Sequence, residues 1–200
     1  VGFRNAGYLY QALENYQNLS KSRCNMLIDV EGHPVTQVGS TEGINLETIA
    51  ALVNRAFLTH ALMRGDRTDA GGLLEESGEG GRFILAKAGE TIVGSAMVRP
   101  VNATDVHDGY APPATALYYG LAGVDTRQMK RGIGRLLLGE AERIGREHAH
   151  THIALNTLYE FDLVPYYIRQ GYAPVFEERF EADHWGLPEP HRVCYLEKKL

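Results

Sequence analysis

The sequence has little cysteine, no long apolar run and no excess of basic charge. Cys24 and Cys194 are the only cysteines in 200 residues, which excludes a disulfide framework. They read as small buried thiols, and with them a reducing, cytoplasmic location is expected. No apolar stretch approaches the roughly 20 residues that a membrane-spanning helix needs, so no membrane partner is expected. Lys and Arg number 20 against 25 Asp and Glu, for a net charge of −5. That balance argues against nucleic acid as a partner and mildly favours a cationic one. The opening "VGFRNAGYLY" has no apolar signal core. It also lacks an initiator Met, so trimmed first residues or a piece of a longer chain are both open. Internal repeats and low-complexity tracts are absent.

What is present is an ordinary globular composition, 44% apolar and 22% charged, long enough for one domain with an appendage. Residues 6–20 carry Leu9, Leu13 and Tyr16 at helical spacing. Two strands are expected in "NMLIDVEGHPVTQVG", around a Glu31-Gly32 turn. "LETIAALVNRAF" puts Leu46, Ile49, Ala50, Val53 and Phe57 on one face of a helix. A less regular helix is expected over 59–64 and 69–76, then a hairpin around Gly89-Glu90. "TALYYGLAGVD" reads as a buried strand whose Gly120 and Gly123 signal a bulge or the close approach of a ligand. After it, Ile133, Leu137, Ala141, Ile144 and His148 share a helical face. A strand at 152–157, a short helix ended by Gly171 and two final strands complete a mixed α/β sheet.

The junction before residue 133 carries the chemistry. "QMKRGIGRLLL" starts a helix without a Ser, Thr, Asp or Asn cap, and sets Lys130 and Arg131 against two glycines. Free N–H groups at a helix start, with glycines that let the backbone come close, suit a phosphate or pyrophosphate. A plain glycine turn with solvated basic residues would look the same. A P-loop is excluded, because no Gly-Lys-Ser/Thr follows. A dinucleotide fingerprint is excluded too, because Leu137 stands where its third glycine belongs.

The wider stretch "LAGVDTRQMKRGIGRLLLGEAE" resembles motif A of the GNAT superfamily of N-acetyltransferases. "INLETIAALVNRAF" resembles the family's first helix, and "HIALNTLYEFDLVPYYIRQGYAP" its motif B. The resemblance covers residues 34–200 and leaves 1–33 as an N-terminal extension, which would add a strand, cover the acceptor site or mediate dimerisation. It implies a mostly antiparallel sheet, splayed between two parallel central strands, with helices on both faces. Acetyl-coenzyme A is the implied cosubstrate, with no metal. Its pyrophosphate is expected on the backbone of Lys130, Arg131, Gly132, Ile133, Gly134 and Arg135. Val124 would offer its N–H to the thioester carbonyl, and Asn156 would hold the pantetheine. Met129 departs from the family's Arg/Gln at that position, which removes one side-chain contact.

Two tyrosines are the catalytic candidates. Tyr167, four residues before Gly171, matches the family tyrosine near the coenzyme sulfur and is the expected general acid. Tyr118 stands where some members carry a Glu base. That leaves the base open among His107, Asp108, Glu160 and Asp162, with a depressed substrate pKa or bulk water as alternatives. The acidic, Trp-bearing stretch 177–190, with Glu177, Glu178, Glu181, Asp183, His184 and Trp185, is a candidate wall for a cationic amine or a solvated loop. "HAHTH", holding His148, His150 and His152, crosses from a helix end into a strand and is a poor metal pattern. The expected reaction is direct acetyl transfer to a primary amine of a small molecule, by a monomer or homodimer. A peptide N-terminus or lysine, a non-catalytic acyl-coenzyme A-binding module, and an appendage of a larger chain are the rivals.

Overall fold

The computed structural model describes residues 25–29, 37–38, 45–60, 65–88 and 90–200. The helix expected at 6–20, the Glu31-Gly32 turn, residues 61–64 and Cys24 lie outside these. Eight strands form one sheet: β1 (Asn25–Asp29), β2 (Gln37–Val38), β3 (Arg82–Ala88), β4 (Thr91–Pro100), β5 (Ala116–Val124), β6 (His152–Leu158), β7 (Ala173–Phe180) and β8 (His191–Lys199). Their order is β2-β1-β3-β4-β5-β6-β8-β7. Two pairs are parallel, β1 with β3 and β5 with β6; the other neighbours run antiparallel. Residues 25–29, which the sequence sets in the extension, thus belong to the same sheet as the rest.

Helices α1 (Leu46–Leu58) and α2 (Ala70–Ser77) cover one face of the sheet, and α3 (Ile133–Glu147) and α4 (Val164–Arg169) the other. Local chemistry sets their ends. The Asn45 side chain accepts from the Glu47 N–H at the start of α1, and Asp69 accepts from the Gly72 N–H at the start of α2, both as N-caps. Ile49, Ala50 and Val53 bury the inner face of α1 against Phe83, Leu85 and Met97. Ile133, Leu137, Ala141 and Ile144 do the same for α3 against the opposite face. His148 does not join them. It is exposed at the helix C-cap, where its ring nitrogen meets Arg82 at 3.0 Å; the helix ends one residue before the periodicity does. The helix expected over 59–64 and 69–76 is α2 alone in the described part, after a turn at 59–60.

The sheet opens at its centre. β5 and β6 pair only at Ala116 with His152, Leu117 with Ile153 and Tyr118 with Ala154, although both strands run on. β5 leaves because it bulges: its register with β4 slips between Ser95 and Met97, and Leu121 takes a φ of 47°. An extra residue in one strand bends it and increases its twist. The glycines beside the bulge serve the protein's own packing. A Cβ on Gly120 would stand 2.5 Å from the Tyr118 ring, and one on Gly123 would press on α1 at Val53 and Ala56. No helix among the described residues is long and apolar enough to cross a membrane.

Candidate active site

The gap between β5 and β6 has a different surface on each side. On the α3 side lies the uncapped helix start. Gly132 is the N-cap at φ 85°, and no side chain caps the helix. That left-handed backbone costs glycine little and an L side chain roughly 1–2 kcal/mol. The first bond of the helix ladder runs from the Leu136 N–H to the Gly132 carbonyl, 3.0 Å. The N–H groups of Ile133, Gly134 and Arg135 precede it and are left outside the ladder. Lys130 and Arg131 are exposed beside them, and Gln128 accepts a hydrogen bond from the Arg131 guanidinium. The Tyr166 hydroxyl is buried with no partner among the described residues, 3.2 Å from where a Cβ on Gly134 would stand.

The turn that joins β5 to this helix start is held by Asp125. Its carboxylate accepts from the Arg127 backbone N–H at 2.9 Å, from Nε at 3.1 Å and from a terminal guanidinium nitrogen at 3.0 Å. These bonds pull its pKa down to about 2. A folded-state value below the unfolded one, about 3.9, adds stability at neutral pH that is lost as pH falls through the folded value. Unfolding free energy should therefore decline between about pH 4 and pH 2 through this group. Asp125→Asn should flatten that part of the curve, read by denaturant melts across the range.

Backbone direction follows from the same turn. The Asp125 N–H donates to the Val93 carbonyl of β4, 2.8 Å away. Strand alternation then turns the Val124 N–H the opposite way, toward β6 and the gap.

On the other side of the gap is a cleft of about 700 Å³. Tyr118, Gly120, Leu121, Asn156 and Tyr167 form the part along the parted strands. Phe57, Glu75 and Glu76 line it from α1 and α2, and Phe180, His184, Trp185 and Leu187 from β7 and the turn after it. The structure thus brings Tyr118, Tyr167 and Asn156 to one cavity. Val124 and Lys130 to Arg135 follow along the same strand and turn. Of the 177–190 stretch only Phe180, His184, Trp185 and Leu187 face the cleft. Glu177 pairs with Arg192 instead. In "HAHTH", His148 meets Arg82, His150 meets the Thr115 carbonyl and His152 meets the Thr151 hydroxyl.

Tyr167 is 8% exposed and sits in the core under α3, yet reaches the cleft through the gap. Its hydroxyl has no hydrogen-bond partner among the described residues. Burial, then the neighbouring Tyr166 and Tyr118, hold its pKa well above the ordinary phenol range. Burial pushes Tyr118 up to about 12, so at neutral pH it is a protonated wall and a donor, not a base.

Sequence reasoning missed Arg99 and Asp105. Arg99 is the one charged side chain in β4, and that isolation was the available signal. Its guanidinium binds both oxygens of Asp105 at 2.6 and 2.7 Å, donates to the Glu76 carbonyl at 2.9 Å, and lies over the Tyr118 ring at 4.4 Å. The pair fixes one wall of the cleft.

A family model described as "Acetyltransferase (GNAT) family" matches residues 47–172. No curated protein matches the sequence. Among solved structures, the chain resembles the ribosomal-protein-alanine N-acetyltransferase of Brucella melitensis: TM-score 0.57, 17% identity, over 78% of this chain and 97% of that one. It also resembles yncA of Salmonella typhimurium, solved with its cofactor acetyl-CoA: TM-score 0.58, 15% identity, over 78% and 88%. An aminoglycoside 6'-N-acetyltransferase complexed with coenzyme A aligns with a TM-score of 0.53 at 18% identity, over 76% and 89%. At these identities the likeness is one of fold.

Proposed function

We propose that this chain, which belongs to the acetyltransferase (GNAT) family, transfers acetyl from acetyl-coenzyme A directly to the primary amine of a small molecule. The observation that carries this reading is the gap after Tyr118 and Ala154. It joins an anion-ready helix start on one face to the cleft on the other. The pyrophosphate rests on the amides from Lys130 to Arg135, where the dipole and the two basic side chains favour it. The pantetheine passes through the gap beside Asn156. The thioester carbonyl takes a hydrogen bond from the Val124 N–H, a donor of the kind worth about 3–4 kcal/mol in the barrier.

The acceptor enters from the cleft, whose size suits a small ligand rather than a folded surface. Arg67 pairs with Glu76 and Arg99 with Asp105, which leaves Glu75 there as a carboxylate unpaired among the described residues, favouring a cationic amine. The amine nitrogen attacks the carbonyl carbon. The C–N bond forms as the C–S bond breaks, and Tyr167 gives its proton to the departing thiolate.

Calorimetric titration with acetyl-coenzyme A, desulfo-coenzyme A and NADH tests the first half. Micromolar binding of both coenzyme species and none of NADH is expected. Gly134→Ala places a methyl 3.2 Å from the Tyr166 hydroxyl and should weaken both by about tenfold, ~1.4 kcal/mol. If the folded protein binds no coenzyme A species, the reading fails. Thiol release with small amines and with a short peptide then separates a small-molecule acceptor from a protein N-terminus.

A further inference from the structure

We propose that His107 accepts the proton of the attacking amine, and that Glu178 and Tyr195 hold its ring in the tautomer able to do so. This rests on the transfer reaction above and supplies the base it lacks. Of the four side chains singled out in the sequence, only His107 lines the cleft. Asp108 and Asp162 are exposed away from it, and Glu160 accepts from the Arg192 backbone N–H. His107 also lines a smaller hollow with Tyr118, Ala154, Asn156 and Tyr195. Tyr118 and Ala154 are the last residues that β5 and β6 pair, so the imidazole stands where the strands part.

The ring is held from three directions. A β-bridge with Tyr110 pins the His107 backbone, with N–H to O distances of 2.8 and 3.1 Å. The ring packs on Tyr195 with centroids 4.7 Å apart. Its Nδ1 lies 3.3 Å from Glu178 Oε2 and 3.3 Å from the Tyr195 hydroxyl, which itself donates to Glu178 at 3.0 Å. The Tyr195 hydroxyl has one hydrogen, which it gives to the Glu178 carboxylate, so toward Nδ1 its oxygen is the acceptor. The imidazole hydrogen therefore belongs on Nδ1, and the lone pair on Nε2. Nε2 has no partner among the described residues, on a ring that lines the cleft.

The proton balance is then complete. One proton passes from the amine to Nε2, another from Tyr167 to the thiolate, and solvent restores both groups between turnovers. Glu178 offsets the imidazolium charge. Glu178 and Tyr195 touch neither substrate and act through His107 as positioning residues. The other ionisable groups around the ring are Asp105 with its partner Arg99, Tyr118, and Tyr110 with its acceptor Glu197.

Nitrogen-resolved NMR titration of the full chain is the test, with His107→Gln to assign the signal. The neutral ring should carry its hydrogen on Nδ1. Glu178→Gln should move the neutral ring toward the Nε2 tautomer, because an amide, unlike a carboxylate, can donate to the Tyr195 hydroxyl and free its hydrogen for Nδ1. Thiol release with butylamine, 2-phenylethylamine and 1,4-diaminobutane gives the kinetic arm. There His107→Gln should lower kcat/KM by about 10²- to 10⁴-fold with acetyl-coenzyme A affinity unchanged. A wild-type ring protonated on Nε2, a tautomer unmoved in Glu178→Gln, or undiminished kcat/KM in His107→Gln would overturn the proposal. The NMR arm decides without any acceptor, and loss of coenzyme A binding by the wild type would strike the transfer reading alone.

Discussion

Tyr167→Phe is expected to slow thiol release from acetyl-coenzyme A by about 10²- to 10³-fold, the usual worth of a positioned acid, while leaving the coenzyme's dissociation constant within about twofold. The asymmetry follows from where the phenol sits. Its ring is core, packed with Tyr166 and Tyr172 at centroid distances of 5.2 and 6.0 Å. Phenylalanine keeps that packing. Only the hydroxyl, which has no partner among the described residues, is lost, so no buried group there is stranded and stability should barely change. Negative charge on the thiolate arises only as the C–S bond breaks, so the lost interaction is one made in the transition state. Burial raises the phenol's pKa, which keeps the proton available through alkaline pH. The wild-type rate should accordingly show no loss up to about pH 10, the ordinary phenol value. A kcat unchanged in Tyr167→Phe would remove Tyr167 from the mechanism.

The second large effect concerns stability. Arg99→Met should cost about 3–5 kcal/mol, the usual result of breaking a buried ion pair from one side, and lower Tm by on the order of 10 °C for a chain of this size. The side chains of Arg99 and Asp105 are only 7% and 9% exposed, so water cannot replace the lost partner. The substitution also strands the Glu76 and Pro100 carbonyls that the guanidinium binds. Adding Asp105→Asn should recover part of the loss. It removes the orphaned charge, and its amide oxygen can still accept from the Asn102 N–H, a bond of 2.8 Å in the parent. Thermal melts of the parent and the two variants check this. A double variant no better than Arg99→Met would show that the damage is lost packing over Tyr118, not the buried charge.

The regular elements and the helix start were legible in the sequence because each is decided over a few residues. Apolar spacing marked α1 and the buried face of α3. Uncapped glycines beside Lys130 and Arg131 marked the anion-ready turn, and the two quoted motifs carried the resemblance to the family. Gly120 and Gly123 signalled a bulge, and β5 bulges there. The same glycines leave room for the Tyr118 ring and for α1, and Gly120 also lines the cleft, since a missing side chain does not say which neighbour fills its place.

Relations between distant residues were not legible. Asp105 is six residues from Arg99, but His107 meets Glu178 and Tyr195 across 71 and 88 positions. Glu178 looked like one more carboxylate in an acidic stretch, and Tyr195 lay unremarked in a final strand. Composition and period contain no information on such meetings, because strand order sets them: β7 lies beyond β8 at the sheet edge, and β8 lies against β6. The sequence by itself determined the elements, the helix that starts without a cap and the family they compose. Only the tertiary structure decided which side chains share the cleft, because a cleft opens where two strands cease to pair, and pairing is a property of strands that meet.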